Sequence, residues 1–310
     1  MAPMRSFDEL LASVKQRVQA VGMKKVVLCG AEDREGLLSV REALQKGIAS
    51  PVCVGKRSLI EPLLEELGIP TVELIAADSE EETAFQSVLC VRQGNGDFIL
   101  KGSVKTSTLL KAVLHKETGI RKEPLLSHTL VTEMTHQQRF LLITDGGMVI
   151  RPTLEEKIAI IGNAVKVARS LGMMVPKVAC ICAVEVVNPA MPESVDSAIL
   201  SKMNQRGQIK DCLIEGPVGI DIALDAYAAK TKRIESEVGG RADILLVPDI
   251  HSGNFLGKSA EYFGRFPIGG IVIGAKAPIL IVSRADKAES KLNSILLGAN
   301  ECMGGHDVGL

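Results

Sequence analysis

Four stretches of the chain place groups able to bind or transfer an anion at points where an apolar run ends. In APILIVSRADKAESKLNSILLGA, Pro278 to Val282 lead into Ser283 and Arg284 and then into a helical pattern with Ala288, Leu292, Ile295 and Ala299 on one face. A strand end followed by a helix start gathers unpaired N–H groups and the positive end of the helix dipole, which suits phosphate. Ser283-x-x-Asp286 equally reads as a capping box, so a structural role stands beside the binding one. At about 100° per residue, Arg284 projects toward the apolar face, where a guanidinium needs a partner, whereas Asp286 and Ser290 project away from it.

The second stretch, FILKGSVKTSTLLKA, ends a strand at Lys101-Gly102 and follows it with Ser103, Lys105, Thr106, Ser107, Thr108 and Lys111. Hydroxyls and lysines at a helix entry suit a multiply charged phosphate ligand, and also a serine- and threonine-rich cap. The third, ADILLVPDIHSGNF, ends a strand at Pro248-Asp249 and then turns through His251, Ser252, Gly253 and Asn254. The fourth is Asp145, closing RFLLITDGG, where a carboxylate either meets substrate or caps the turn at Gly146 and Gly147. The seven cysteines lie mostly in apolar runs and read as reduced core residues. Cys180 and Cys182 share a strand face, yet no second Cys or His pair completes a tetrahedral site, so no metal is expected. G-x-G-x-x-G and Walker loops are absent, which lowers the case for a nucleotide-dependent dehydrogenase or kinase.

To hold these groups at strand ends, the chain needs alternating strands and helices. KKVVLCG, PVCVG, TVELI, DFILKG, RFLLITDGG, KVACICAV, ADILLVPD, GGIVIG and APILIVS are strand candidates between segments of helical period, which means an α/β fold with a largely parallel sheet. Ser6-x-x-Glu9 opens one helix that Gly22 stops, and Thr153-x-x-Glu156 opens another that Gly172 stops. Two lobes suit 310 residues, with a hinge at Gly146-Gly147 to Arg151-Pro152. A net charge of −1 and 3% aromatic residues leave neither a basic field nor stacking platforms for nucleic acid. The longest apolar stretch is too short to span a bilayer and the N-terminus lacks a signal-like apolar core, so a cytoplasmic protein without membrane attachment is expected.

FILKGSVKTSTLLKAVL, LLITDGGMVIRPTLEEK, KVACICAVEVVNPAMPESVDSA, GPVGIDIALD, SEVGGRADILLVPDIHSGN and SRADKAESKLNSI together resemble the phosphate acetyl/butyryltransferase family, its butyryl branch above all. The resemblance spans nearly the whole chain. It implies a two-domain fold similar to the isocitrate and isopropylmalate dehydrogenases, with an interdomain cleft, residues 1–145 plus 276–310 forming the first domain and 146–275 the second. It also implies reversible acyl transfer between coenzyme A and orthophosphate by direct attack in a ternary complex, with butyryl-CoA and phosphate as substrates and no permanently bound cofactor. Homo-oligomers and a fermentative link to an acyl-phosphate (butyrate) kinase go with the family. The family's phosphate-binding Ser-Arg pair falls on Ser283 and Arg284. The ungapped counterpart of its proposed base is Ser290, with Glu289 and Asp286 nearby, and a family arginine corresponds to Lys111. Lys101, Gly102, Ser103, Thr106, Ser107, Lys111, Asp145, Ser252, Gly253 and Asn254 are the expected substrate-binding residues. Phosphate acetyltransferase activity is the alternative within the family. A sensor of acyl-CoA or acyl phosphate, lacking a base, is the alternative outside catalysis. A β-decarboxylating dehydrogenase would need an acidic metal cluster and paired arginines, which the sequence does not display.

Overall fold

The computed structural model describes residues 2–70, 72–283 and 285–304. In chain order its elements are α1 (Phe7–Val21), β1 (Lys24–Cys29), α2 (Arg34–Gln45), β2 (Ala49–Gly55), α3 (Arg57–Glu66), β3 (Glu73–Ala76), α4 (Glu80–Arg92), β4 (Phe98–Lys101) and α5 (Thr106–Val113). They continue with β5 (Ser127–Met134), β6 (Arg139–Thr144), α6 (Leu154–Ser170), β7 (Lys177–Ile181), α7 (Pro192–Gln205), β8 (Leu213–Val218), α8 (Ile220–Leu224), α9 (Ala226–Thr231), β9 (Ile244–Leu246) and α10 (Ile250–Tyr262). β10 (Ile268–Ile273), β11 (Ile279–Leu280) and α11 (Ala288–Cys302) complete the chain.

Two compact units result: Phe7–Pro124 with Pro267–Leu310, and Met1–Ser6 with Leu125–Phe266. The dividing points are thus 6/7, 124/125 and 266/267, where the sequence pointed to 145/146 and 275/276 and kept residues 1–6 with the first domain. The first shift follows from pairing. β5 and β6 form an antiparallel hairpin, Thr129 opposite Thr144, and β6 pairs in parallel with β9, Leu142 opposite Ile244, so both strands belong with the elements that follow them.

In the first unit the strand order is β3-β2-β1-β4-β11-β10. All neighbours are parallel except β10 and β11, whose Val272 and Ile279 face each other in antiparallel register. β1 and β4 are buried throughout most of their length, which is the near-continuous apolar pattern of a parallel sheet covered on both faces. In the second unit the order is β5-β6-β9-β7-β8, parallel apart from the β5–β6 hairpin. Its core gathers Ile143, Ala179, Ile222 and Leu245 among other apolar residues.

The expected helix signals operate. The Thr153 side chain accepts from the Glu156 N–H while the Glu156 carboxylate accepts from the Thr153 N–H, a complete capping box, and Gly172 ends the segment at φ +91°. Gly22 sits at φ +81° just past α1. Among the described residues, no helix is long and apolar enough to cross a membrane, and no group of three or more His, Cys, Asp or Glu side chains is placed to hold a metal ion.

Candidate active site

In the first unit, β1, β4 and β11 lie side by side and run the same way: Cys29 pairs with Lys101, and Leu280 with Leu100. Their carboxyl ends therefore present Gly30, Lys101 to Ser103 and the Ser283 turn along one sheet edge, the place where open α/β sheets bind ligands. Two glycines let the loops cross closely. A Cβ on Gly102 would lie 2.2 Å from the Gly30 carbonyl oxygen, and one on Gly30 would lie 2.5 Å from Ser103 Oγ. Backbone bonds lock the crossing, Gly102 N–H to Cys29 O at 2.9 Å and Ser103 N–H to Gly30 O at 3.0 Å.

Lys101 is 3% exposed, and its ammonium donates to Gly102 O at 3.2 Å and Val104 O at 3.3 Å. It staples its own loop at the strand end. Ser103 is exposed and donates to Glu32 Oε2 at 3.3 Å. Helix α5 starts at Thr106 with no side-chain cap from Lys105, whose N–H donates instead to Glu80 Oε1 at 2.6 Å. Thr106 and Ser107 occupy its first turn. Lys111 is exposed in the last turn, its Cα about 7.5 Å along the axis from that of Thr106.

The Ser283 segment departs from the sequence reading. Helix α11 begins at Ala288, so Asp286 precedes the helix and does not lie in its first turn. Asp286 is 3% exposed and its Oδ2 accepts the Ser283 N–H at 2.8 Å, while the Ser283 Oγ accepts from Ala285 N–H at 3.3 Å. The helical projection that aimed Asp286 outward fails because the helix has not yet begun. Glu289 is exposed in the first turn of α11, and Ser290 is half-buried, its carbonyl accepting from Ser294 Oγ at 2.8 Å. Arg284 lies outside the described residues.

In the second unit the other two stretches come together. Asp145, 2% exposed, follows β6, and its carboxylate accepts four backbone N–H groups: Gly147 at 2.8 Å, Met148 at 2.9 Å, His128 at 3.2 Å and Val149 at 3.3 Å. Burial raises its pKa above the usual carboxylate value, outweighing the lowering by His128 and by these N–H groups. The carboxylate shapes the loop, as a turn cap would. Gly146 touches Gly253 backbone to backbone, since a Cβ on either would lie 2.6 Å from the other's main chain. Residues His251 to Asn254 are not a turn but the first turn of α10, capped by Asp249, whose Oδ1 accepts from the N–H and the hydroxyl of Ser252, both at 2.8 Å. These bonds hold the Asp249 carboxyl below its ordinary value.

The sequence of the family described as Phosphate acetyl/butaryl transferase matches residues 71–299. The Phosphate butyryltransferase of Clostridium acetobutylicum is 42% identical over 297 residues, 95% of this chain and 97% of its own. The chain belongs to this family. A branched-chain phosphotransacylase from Enterococcus faecalis V583 superposes with a TM-score of 0.79 at 31% identity, covering 90% of this chain and 99% of its own. A 4-hydroxythreonine-4-phosphate dehydrogenase from Klebsiella pneumoniae, 13% identical over 90% of this chain and 99% of its own, shares the fold with a TM-score of 0.53.

The residues that sequence reading missed are acidic. Glu32 and Asp33, between β1 and α2, and Glu35, in the first turn of α2, contact respectively Ser103 and the Lys56 N–H, the Lys291 ammonium, and the Ala288 N–H. The signal was present in VVLCGAEDREG, a strand running into glycine and three carboxylates, but it carries none of the nucleotide-binding spacings.

Proposed function

We propose that this member of the phosphate acetyl/butyryl transferase family moves a butyryl group between coenzyme A and orthophosphate, reversibly and by direct attack in a ternary complex. The observation that carries the site is the shared edge of β4 and β11, where Lys101 to Ser103 and the Ser283 turn end neighbouring parallel strands. Ser283 and Arg284 are assigned to the phosphoryl group, with the Lys101 charge and the N–H and hydroxyl groups of Thr106 and Ser107 completing an anion site. Ser252, Gly253 and Asn254 are assigned to substrate binding on the first turn of α10. Lys111, exposed in the last turn of α5, is assigned to the same site through the reach of its side chain. The finer relation to the isocitrate and isopropylmalate dehydrogenases is proposed on the fold shared with the 4-hydroxythreonine-4-phosphate dehydrogenase.

In the direction of acyl phosphate, a phosphate oxygen attacks the thioester carbonyl. A carbon–oxygen bond forms, the carbonyl electrons move to its oxygen, and collapse of that oxyanion expels the coenzyme A thiolate. The reverse begins with the thiol, which ionises near pKa ~8.5 and is aided by positive potential, so a strong protein base is not essential. Holding both substrates removes the entropy cost of their meeting. The Ser283 hydroxyl stabilises the oxyanion. Glu289, exposed, and Ser290 remain assigned as candidates for assisting the thiol.

The test is phosphate-dependent release of free thiol from acetyl-, butyryl- and longer acyl-CoA by wild-type protein and Arg284→Ala. Fastest release with butyryl-CoA, lost in a folded Arg284→Ala variant, is expected. Fastest release with acetyl-CoA turns the assignment to phosphate acetyltransferase, and wild-type turnover in the variant removes Arg284 from the mechanism.

A further inference from the structure

Carboxylates beside an anion site oppose binding unless their charge serves another partner. From the loop after β1 to the first turn of α2, Glu32, Asp33 and Glu35 each have one. Asp33 is the N-cap residue of α2, the position where an aspartate ordinarily bonds its own helix, yet its side chain makes no cap bond there. Its carboxylate instead pairs with the ammonium of Lys291, whose side chain is 2% exposed, one turn into α11. Gly36 leaves room for this, since a Cβ there would lie 2.9 Å from Asp33 Oδ2. Glu35 reaches the start of the same helix: its Oε2 accepts the Ala288 N–H at 2.8 Å, where Lys287 supplies no side-chain cap. Glu32, in the same loop, accepts from Ser103. One short acidic segment thus grips the helix that follows the Ser283 turn and the loop that follows Lys101.

We propose that Asp33 and Glu35 are positioning residues that clamp the start of α11, and so set where the Ser283 turn stands relative to the β4–α5 loop. The inference rests on the acyltransferase reading, in which those two segments hold phosphate. They touch no substrate. Their charge is neutralised or hydrogen-bonded away from it, and reach rather than charge is the property that matters at Glu35. An amide of the same length accepts the Ala288 N–H as a carboxylate does, whereas aspartate is one methylene too short.

The experiment compares wild type with Glu35→Gln, Glu35→Asp and Glu35→Ala in steady-state release of thiol from butyryl-CoA, varying phosphate and butyryl-CoA separately, with melting curves for each. Glu35→Asp and Glu35→Ala are expected to lose about tenfold in kcat/KM for phosphate, the scale set by about 100-fold for a 1 Å misplacement, with KM for butyryl-CoA within about twofold of wild type. Glu35→Gln is expected to stay within about threefold of wild type in all parameters. Should Glu35→Ala fail to fold, the order of the glutamine and aspartate variants decides. Glu35→Asp more active than Glu35→Gln, or melting temperatures that fall while both KM values and kcat stay at wild-type levels, would overturn the clamp. A wild-type protein without phosphate-dependent release would overturn the acyltransferase reading itself, a result distinct from either variant pattern.

Discussion

Gly102→Ala perturbs the crossing of the two loops at the sheet edge with a single carbon. That carbon would stand 2.2 Å from the Gly30 carbonyl oxygen and 3.1 Å from that of Cys29, both main-chain atoms with no rotamer to escape into. Ordinary contact begins at 3.4 Å, so the loop must retreat by 3.4 − 2.2 = 1.2 Å. Two hydrogen bonds oppose the retreat, from Gly102 N–H and Ser103 N–H to the same segment of β1 and its end, and Lys101 moves with the loop because its ammonium is bonded to Gly102 O and Val104 O. Inserting a carbon into such a packed place costs about 1–3 kcal/mol of stability. The kinetic effect is larger than a general loosening would give. A displacement near 1 Å of groups that position a substrate costs on the order of 100-fold in rate, equivalent to about 2.7 kcal/mol of barrier.

Gly162→Ala is the control. Gly162 is exposed within α6, at an ordinary φ and with nothing within 4 Å of an added Cβ. Alanine there is expected to raise stability by about 0.5–1 kcal/mol and leave turnover unchanged. Both variants are assayed for phosphate-dependent thiol release and for thermal unfolding. Gly102→Ala with wild-type turnover and wild-type melting would refute the claim that this crossing sets the site.

Two further outcomes follow from titratable groups. Burial is the largest influence on Asp145 and raises its folded pKa above its ordinary value of 3.8. The stability this carboxyl contributes is therefore full below about pH 3.9 and is lost as pH rises through the raised folded value. Asparagine does not titrate and places an N–H₂ group against two of the four backbone donors, so Asp145→Asn is expected to melt lower, by about 1–3 kcal/mol per stranded donor. The gap from wild type should be widest at the acid end, and a gap that widens toward neutral pH contradicts the assignment. Burial also pushes the thiols of Cys29 and Cys53 up to about 12 and that of Cys180 upward. Native protein treated with iodoacetamide at pH 8 should gain no adduct at these three cysteines by peptide mass mapping, and butyryl-CoA alone should leave no thioester on them. An acylated cysteine would replace direct transfer with a covalent intermediate.

Much of this arrangement is legible in the chain because parallel strands announce themselves as apolar runs. KKVVLCG, DFILKG and ADILLVPD became β1, β4 and β9 for that reason, and the Thr153–Glu156 capping box fixed the start of α6 locally. The strands that escaped are those whose cores are polar or broken. β5 buries Ser127 and Thr132 where an apolar run would be expected, and it does so because Asn163 Nδ2 donates to Ser127 Oγ at 2.9 Å and Thr132 donates to Leu141 O at 2.7 Å. β8 contains Gly216-Pro217, and its glycine is needed where a Cβ would meet Cys180 Cβ at 2.6 Å. The same limit governs the site. Serines, lysines and glycines at strand ends could be found one by one, since each strand end is a local pattern. What holds them is non-local: Glu35 to Ala288 spans 253 residues and Asp33 to Lys291 spans 258. Three carboxylates after a strand look like solvated surface until the partners folded against them are known. Polar groups at strand ends can thus be read in sequence, while the acids that bond across 253 and 258 residues to the start of α11 cannot, because their charge makes them look misplaced.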